Sequence, residues 1–138
     1  MNVQPYLSFE GRAQEAIDFY ASAIGAKVDV VMLFKDAPPD MQGNMPNKDK
    51  VMHAAFHVGD TQIMATDGEC SGKGAFSGIS LTLNAGSNEE AEKLFNALAQ
   101  GGGKVNMPIA ETFFAHRFGM VADKFGVGWM VLHPKEHG

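Results

Sequence analysis

The sequence predicts an α+β fold made of two βαβββ modules, and three observations lead there. A strand-helix-strand order occurs twice, with Glu15-Ala16 falling on Glu90-Ala91, Phe19 on Leu94 and Tyr20 on Phe95 at a constant offset of 75 residues. The strand candidates are short, apolar and separated by Gly, Pro and Asn, whereas each repeat holds one segment of helical periodicity. The length of 138 residues, 45% apolar and 20% charged, suits one globular domain and leaves no room for a second.

Taken in order, Val3 to Phe9 reads as a strand. After Gly11, the recurrence of Ala13, Ala16, Ile17, Tyr20 and Ile24 predicts a helix that Gly25 ends. Lys27 to Phe34 is β-branched and apolar, a second strand. The arm from Asp36 to Lys50, rich in Pro, Asn and Gly, is a long loop of the kind that covers a site or reaches a partner. Val51 to Val58, a turn at Gly59-Asp60, and Gln62 to Thr66 form a hairpin. In the second repeat Gly78 to Leu83 is a strand, and Ser87 with Glu90 has capping-box spacing ahead of Ala91, Leu94, Phe95 and Leu98. Gly101-Gly102-Gly103 turns the chain, apolar segments start at Lys104 and Ala115, and Val127 to His133 is the last strand. Module one covers about 1–67, a Gly-rich linker 68–77, and module two about 78–134. The linker is no phosphate loop, because its glycine spacing is one residue short of the Walker pattern and no Ser or Thr follows Lys73.

Composition narrows the function classes. A net charge of -5, with 16 acidic against 11 basic residues, offers no footprint for a phosphate backbone, so nucleic acid is not an expected partner. The chain has no apolar run of membrane-spanning length and no signal-peptide pattern at Met1 to Pro5, and the expected location is the cytoplasm. Cys70 is the single cysteine, which rules out an intramolecular disulfide and a Cys-rich zinc site.

Three segments carry a resemblance. Ala16-Ile17-Asp18-Phe19-Tyr20 through Ile24-Gly25 is similar to the A-x-x-F-Y-x-x-x-L-G helix of the vicinal-oxygen-chelate superfamily of glyoxalase, bleomycin-resistance and extradiol-dioxygenase proteins. Glu111-Thr112-Phe113-Phe114-Ala115-His116-Arg117-Phe118-Gly119 and Asp123-Lys124-Phe125-Gly126-Val127-Gly128-Trp129-Met130 resemble segments of its PhnB-like group, which often carries the label 3-demethylubiquinone-9 3-methyltransferase. The resemblance implies paired modules whose strands curve into a U-shaped sheet around a cleft that holds the site. It also implies where metal ligands would stand, at Pro5, about Met64, at or beside Ile79, and Met130. Those residues lack the hard oxygen or imidazole donors of a zinc, iron or magnesium centre, so no metal or other cofactor is expected.

The remaining candidates are weighed against structural roles. His53 and His57 share a strand face but stand roughly 13 Å apart, too far to chelate one ion. His53 and His116 occupy roughly corresponding places in the two modules, and are candidates for a hydrogen-bonding or acid-base pair facing the cleft; the alternative is a structural histidine bonded to backbone. Glu111, beside Thr112, Phe113 and Phe114, is a candidate base if its pocket is apolar. Asp123 is assigned to the turn before the last strand, while His133 and His137 are set aside as near the chain end. Met32, Met64, Phe113, Phe114, Phe118, Trp129 and Met130 are candidates to line a pocket for a flat or apolar ligand, against simple core packing.

The expected function is binding of a small organic molecule without the superfamily metal. The competing readings are a metal-dependent lyase, isomerase or dioxygenase with relocated ligands, and a methyltransferase, which the absence of a strand followed by a G-x-G-type loop disfavours. A homodimer is expected, with the Asp36 to Lys50 arm free to reach a partner.

Overall fold

Twelve residues, Ala13–Ile24, form helix α1, whose buried stripe of Ala13, Ala16, Ile17 and Tyr20 follows the three- and four-residue spacing of an amphipathic helix. Gly25 closes it in the left-handed region at φ 72°, a conformation that costs glycine least. A computed structural model of the chain describes residues 1–136, which fall into two compact units, Met1–Gly74 and Ala75–Gly138 as bounded along the chain. Each unit is a βαβββ module with a four-stranded mixed sheet, so the fold class is α+β as expected.

In the first unit the strands are β1 (Tyr6–Ser8), β2 (Lys27–Leu33), β3 (Val51–Val58) and β4 (Thr61–Thr66), in the spatial order β1-β4-β3-β2. Strand β1 runs parallel to β4 and is shorter than the Val3 to Phe9 segment that the sequence suggests. The hairpin pairs as expected, with Ala55 across from Met64 and Phe56 across from Ile63. Alternation of side chains then sorts the sheet into two faces. Leu7, Ala54, Phe56, Ile63 and Ala65 are buried on the face that α1 covers, where the Tyr20 and Phe56 rings stack at 5.9 Å. Tyr6, Ser8, Val30, Met32, His53, Ala55 and Met64 share the other, helix-free face. A bulge at Asp29 returns Val30 to that face opposite Ala55.

The second unit repeats the plan with β5 (Ser80–Asn84), helix α2 (Asn88–Leu98), β6 (Lys104–Ala110), β7 (Ala115–Ala122) and β8 (Gly128–Pro134), ordered β5-β8-β7-β6. Ser87 caps α2 by accepting from the Glu90 amide at 3.0 Å, while the Glu90 carboxylate accepts from Gly86 N–H rather than from the cap residue itself. Ala91 and Phe95 are buried where the 75-residue offset places their counterparts Ala16 and Tyr20. At Gly119 the helix comes so close that an added Cβ would lie 2.6 Å from Phe95 Cε2. Trp129, Val131, Val121 and Gly119 therefore face α2, and Thr82, Met130, Leu132, Phe118 and Met120 lie on the helix-free side. Among the described residues no helix is long and apolar enough to cross a membrane.

The Asp36–Lys50 arm is an organised loop within the first unit. Its base is paired, Phe34 N–H to Lys50 O at 3.0 Å and Lys35 N–H to Lys48 O at 3.0 Å, and Met45 is buried beneath it. Lys50 Nζ ties it to Gly11 O at 2.8 Å.

Candidate functional site

Within the first unit, His53 projects from the middle of β3 and is half-buried. Its Nδ1 lies 3.5 Å from the Tyr6 hydroxyl, at the outer limit of a hydrogen bond, and the two rings stack with centroids 5.9 Å apart. Met32 stands across from His53 on β2, and Met64 across from Tyr6 on β4. The same face carries Ser8, whose hydroxyl donates a short hydrogen bond to Glu10. That bond, with further donation from Ser71, holds the Glu10 carboxyl below its ordinary pKa. The face thus combines an imidazole, a phenol and two thioethers over a helix-backed sheet. It can accept an apolar body and hydrogen-bond one polar group. His57, on the same strand, is instead joined to Asp29 Oδ2.

The other candidates have different surroundings. His116 lies in the irregular stretch of β7 between Ala115 and Arg117, with its ring 5.0 Å from that of His133. Register makes Phe118, rather than His116, the counterpart of His53: each stands two residues before the strand position that pairs with Met64 or Met130. The rough correspondence is thus two residues out, because the links between the second and third strands of the two modules differ in length, from Leu33 to Val51 in one and from Ala110 to Ala115 in the other. His133, set aside in the sequence reading, is well placed in β8, with Nδ1 2.9 Å from Asn88 Oδ1. His137 lies outside the described residues.

Glu111 does not sit in an apolar pocket. Its side chain is 62% exposed and paired with Lys135 Nζ at 3.2 Å, because the segment after β6 runs along the surface. Phe113 is 92% exposed, with its ring edge-on to Phe114, which in turn meets Phe118. Trp129 is a core residue at 2% exposure, its indole N–H donating to Asp123 Oδ2 at 2.9 Å. Asp123 Oδ1 also accepts from the amides of Phe125 and Val127, the turn-shaping role expected of it.

The rows differ from the expected ligand positions too. Tyr6, not Pro5, shares the helix-free face with Met64, since Pro5 turns its carbonyl to Met64 N–H. Thr82, not Ile79, pairs with Met130. Among the described residues no group of three or more His, Cys, Asp or Glu side chains converges.

Sequence reasoning missed Asp67, a buried carboxylate at the end of β4. Oδ1 accepts from Gly11 N–H at 3.0 Å and Ala13 N–H at 2.7 Å, and Oδ2 from Val51 N–H at 2.7 Å. It thereby caps α1 from 54 residues away, where the cap residue Arg12 offers no side-chain hydrogen bond. An Asp-Gly pair directly after a strand was the available signal, and it reads equally well as a turn.

The chain was compared with known proteins. The model of a family described as 3-demethylubiquinone-9 3-methyltransferase matches residues 1–132. Protein YjdN of Escherichia coli (strain K12) is 37% identical over 144 residues, covering 99% of this chain and 97% of YjdN. Protein PA1353 from Pseudomonas aeruginosa is 39% identical in sequence, and its crystal structure matches with a TM-score of 0.85 over 99% of both chains. A PhnB protein from Bacillus cereus, titled a putative 3-demethylubiquinone-9 3-methyltransferase, is 27% identical with a TM-score of 0.79, over 96% of this chain and 99% of that one. At 14% identity and a TM-score of 0.60, a glyoxylase/bleomycin resistance protein/dioxygenase domain from Frankia sp. EAN1pec shares the fold, over 97% of this chain and 95% of the other.

Proposed function

This chain belongs to the family described as 3-demethylubiquinone-9 3-methyltransferase, and from that premise we propose that it binds a small, largely apolar organic molecule without a hard-cation centre and without methyl transfer. The observation that carries the reading is the helix-free face of the first unit, where Tyr6, Met32, His53 and Met64 stand together, partly exposed. In this reading the thioethers and the Tyr6 ring take the apolar body of the ligand. Tyr6 engages Nδ1 of His53, leaving Nε2 for one polar group of the ligand.

Two alternatives find less support. A zinc, iron or magnesium site at the superfamily positions would need carboxylate or imidazole donors, whereas Pro5 or Tyr6, Met64, Ile79 or Thr82, and Met130 stand there. These residues do not fit such an ion. S-adenosylmethionine, the methyl donor implied by the family description, is held in many proteins by a Gly-rich turn between a strand and a helix of a doubly wound sheet. Here both sheets are four-stranded, and the turn into α1 spends the Gly11 and Ala13 amides on Asp67 and that of Arg12 on Phe9 O. The chain is also read as cytoplasmic and as a homodimer, the dimer being supported by the apolar side chains exposed on the edge strands β2 and β6.

A thermal-shift screen of small molecules, run with a chelator and again with divalent ions, tests the reading. A ligand that binds the native chain raises the melting temperature by mass action. The expected hit stabilises wild type equally in both arms and loses its effect on His53→Ala. Stabilisation confined to the metal arm, or stoichiometric zinc, iron or manganese in purified protein, would overturn it. Calorimetry should register no heat with S-adenosylmethionine.

A further inference from the structure

The helix-free face of the second unit carries a row of methionines that the proposed ligand site does not use. Met107 on β6 pairs with Met120 on β7, and Met120 with Met130 on β8. Partners in one row of a sheet hold their Cβ atoms about 4.5–5.5 Å apart. The methionine chain, with three rotatable bonds, can close that distance and bring three sulfurs onto one point. None of the three is buried: Met107 is 44% exposed, and Met120 and Met130 are half-buried. They therefore retain freedom to move and lie within reach of solvent.

A bulge at Asn106, between the pairs Val105–Val121 and Met107–Met120, aims Met107 onto this face; without it Asn106 would stand opposite Met120. The same row in the first unit, Val30, Ala55 and Met64, has the matching bulge at Asp29 but a single methionine. The bulge therefore belongs to the shared module and the methionines do not. The architecture accepts Val and Ala at these places, so three thioethers are particular to the second module.

We propose that Met107, Met120 and Met130 form a three-thioether site for a soft monovalent cation, Cu(I) being the physiological candidate. Thioether sulfur is a soft, uncharged donor that favours Cu(I) and does not compete for zinc, calcium or magnesium. The site lies wholly in the second unit.

Silver(I), which shares the softness of Cu(I) without its redox chemistry, is the probe. Full-length Cys70→Ser protein, which lacks the competing thiol, is labelled with 13C at the methionine methyls and titrated with silver nitrate in chloride-free buffer. Of the nine methionine methyl signals, those of Met107, Met120 and Met130 should shift together and saturate at one equivalent. Met120→Leu conserves volume and should fold normally. It should weaken binding at least tenfold, and the triple leucine variant should abolish the one-equivalent transition. A competition titration with Cu(I) under anaerobic conditions should follow the same order. Shifts spread over the exposed Met1 and Met41 without saturation would overturn the proposal. So would unchanged affinity in the folded triple leucine variant.

Discussion

Replacing Asp67 with alanine should cost this chain a large part of its stability. The carboxylate is 1% exposed and accepts three backbone amides, from Gly11, Ala13 and Val51. A hydrogen bond to a charged group contributes about 1.5–3 kcal/mol, but three bonds that share one acceptor group are not additive. Gly11 borders a groove lined by Arg12, Gln14, Asn47 and Asp49, where water can replace part of what is lost there, whereas Ala13 is fully buried. The Val51 amide belongs to a residue 1% exposed, and leaving it unpaired costs about 1–3 kcal/mol. Loss of a helix cap alone costs about 0.5–2 kcal/mol. Together these give about 1.5–5 kcal/mol, against a total of about 5–15 kcal/mol for a typical domain. At roughly 3–5 °C per kcal/mol for a chain of this size, the melting temperature should fall by about 5–25 °C. Asp67→Asn keeps the volume and one carbonyl oxygen but turns an N–H₂ toward one of the amides, so it should lose about half as much. Urea and thermal unfolding followed by circular dichroism would measure both variants. A loss below about 1 kcal/mol for Asp67→Ala would refute the assignment of Asp67 as the tie between α1, β3 and β4.

Other consequences are testable in the same way. The Glu10 carboxyl is held below its ordinary pKa chiefly by the Ser8 hydroxyl, so its folded form is the more acidic one. Its small contribution is present above the unfolded pKa near 4.5 and disappears as pH falls through the folded value. Urea midpoints of wild type and Glu10→Gln should therefore differ at pH 7, and the gap should narrow as pH falls below 4.5; a gap that does not narrow on acidification would contradict this. Burial raises the pKa of Cys70, with the Asp67 charge acting in the same direction. Its alkylation at pH 8 should be several-fold slower in native than in urea-unfolded protein, and equal rates would count against it. Gly119→Ala would press a methyl against Phe95 Cε2 and Ile109, costing about 1–3 kcal/mol, whereas the exposed Phe113→Ser should change stability by less than about 0.5 kcal/mol. Light scattering at micromolar concentration should give the mass of a dimer, and a monomer mass would remove the homodimer reading.

The sequence made the elements legible because their signals are local. Apolar spacing at Ala13, Ala16, Ile17 and Tyr20 marks one face of α1 whatever surrounds it, and Ser87 with Glu90 announces the start of α2 within four residues. Both helices and the β3-β4 hairpin follow those signals closely. The site depends on which face of a sheet a residue occupies, and that depends on counting residues through irregularities. One extra residue at Asp29 and one at Asn106 reverse the facing of the residues that follow, until a second irregularity after Met32 and after Met107, and neither residue type demands a bulge.

The same reasoning explains which candidates changed place. Trp129 sits among aromatics in sequence, but strict alternation within β8 sends it to the α2 side if Met130 faces the other way. Two adjacent residues of a regular strand cannot both line one face, so Trp129 and Met130 cannot line the same pocket. The buried partner of the indole, Asp123, completes the choice, since a Trp N–H in the core needs an acceptor. His53 survives the same test together with Tyr6, Met32 and Met64, because register across β1, β2, β3 and β4 independently returns all four to one face. A site hypothesis for this family is therefore best posed in rows of sheet register. Posed so, it separates the His53 face from the methionine row that the second module alone possesses.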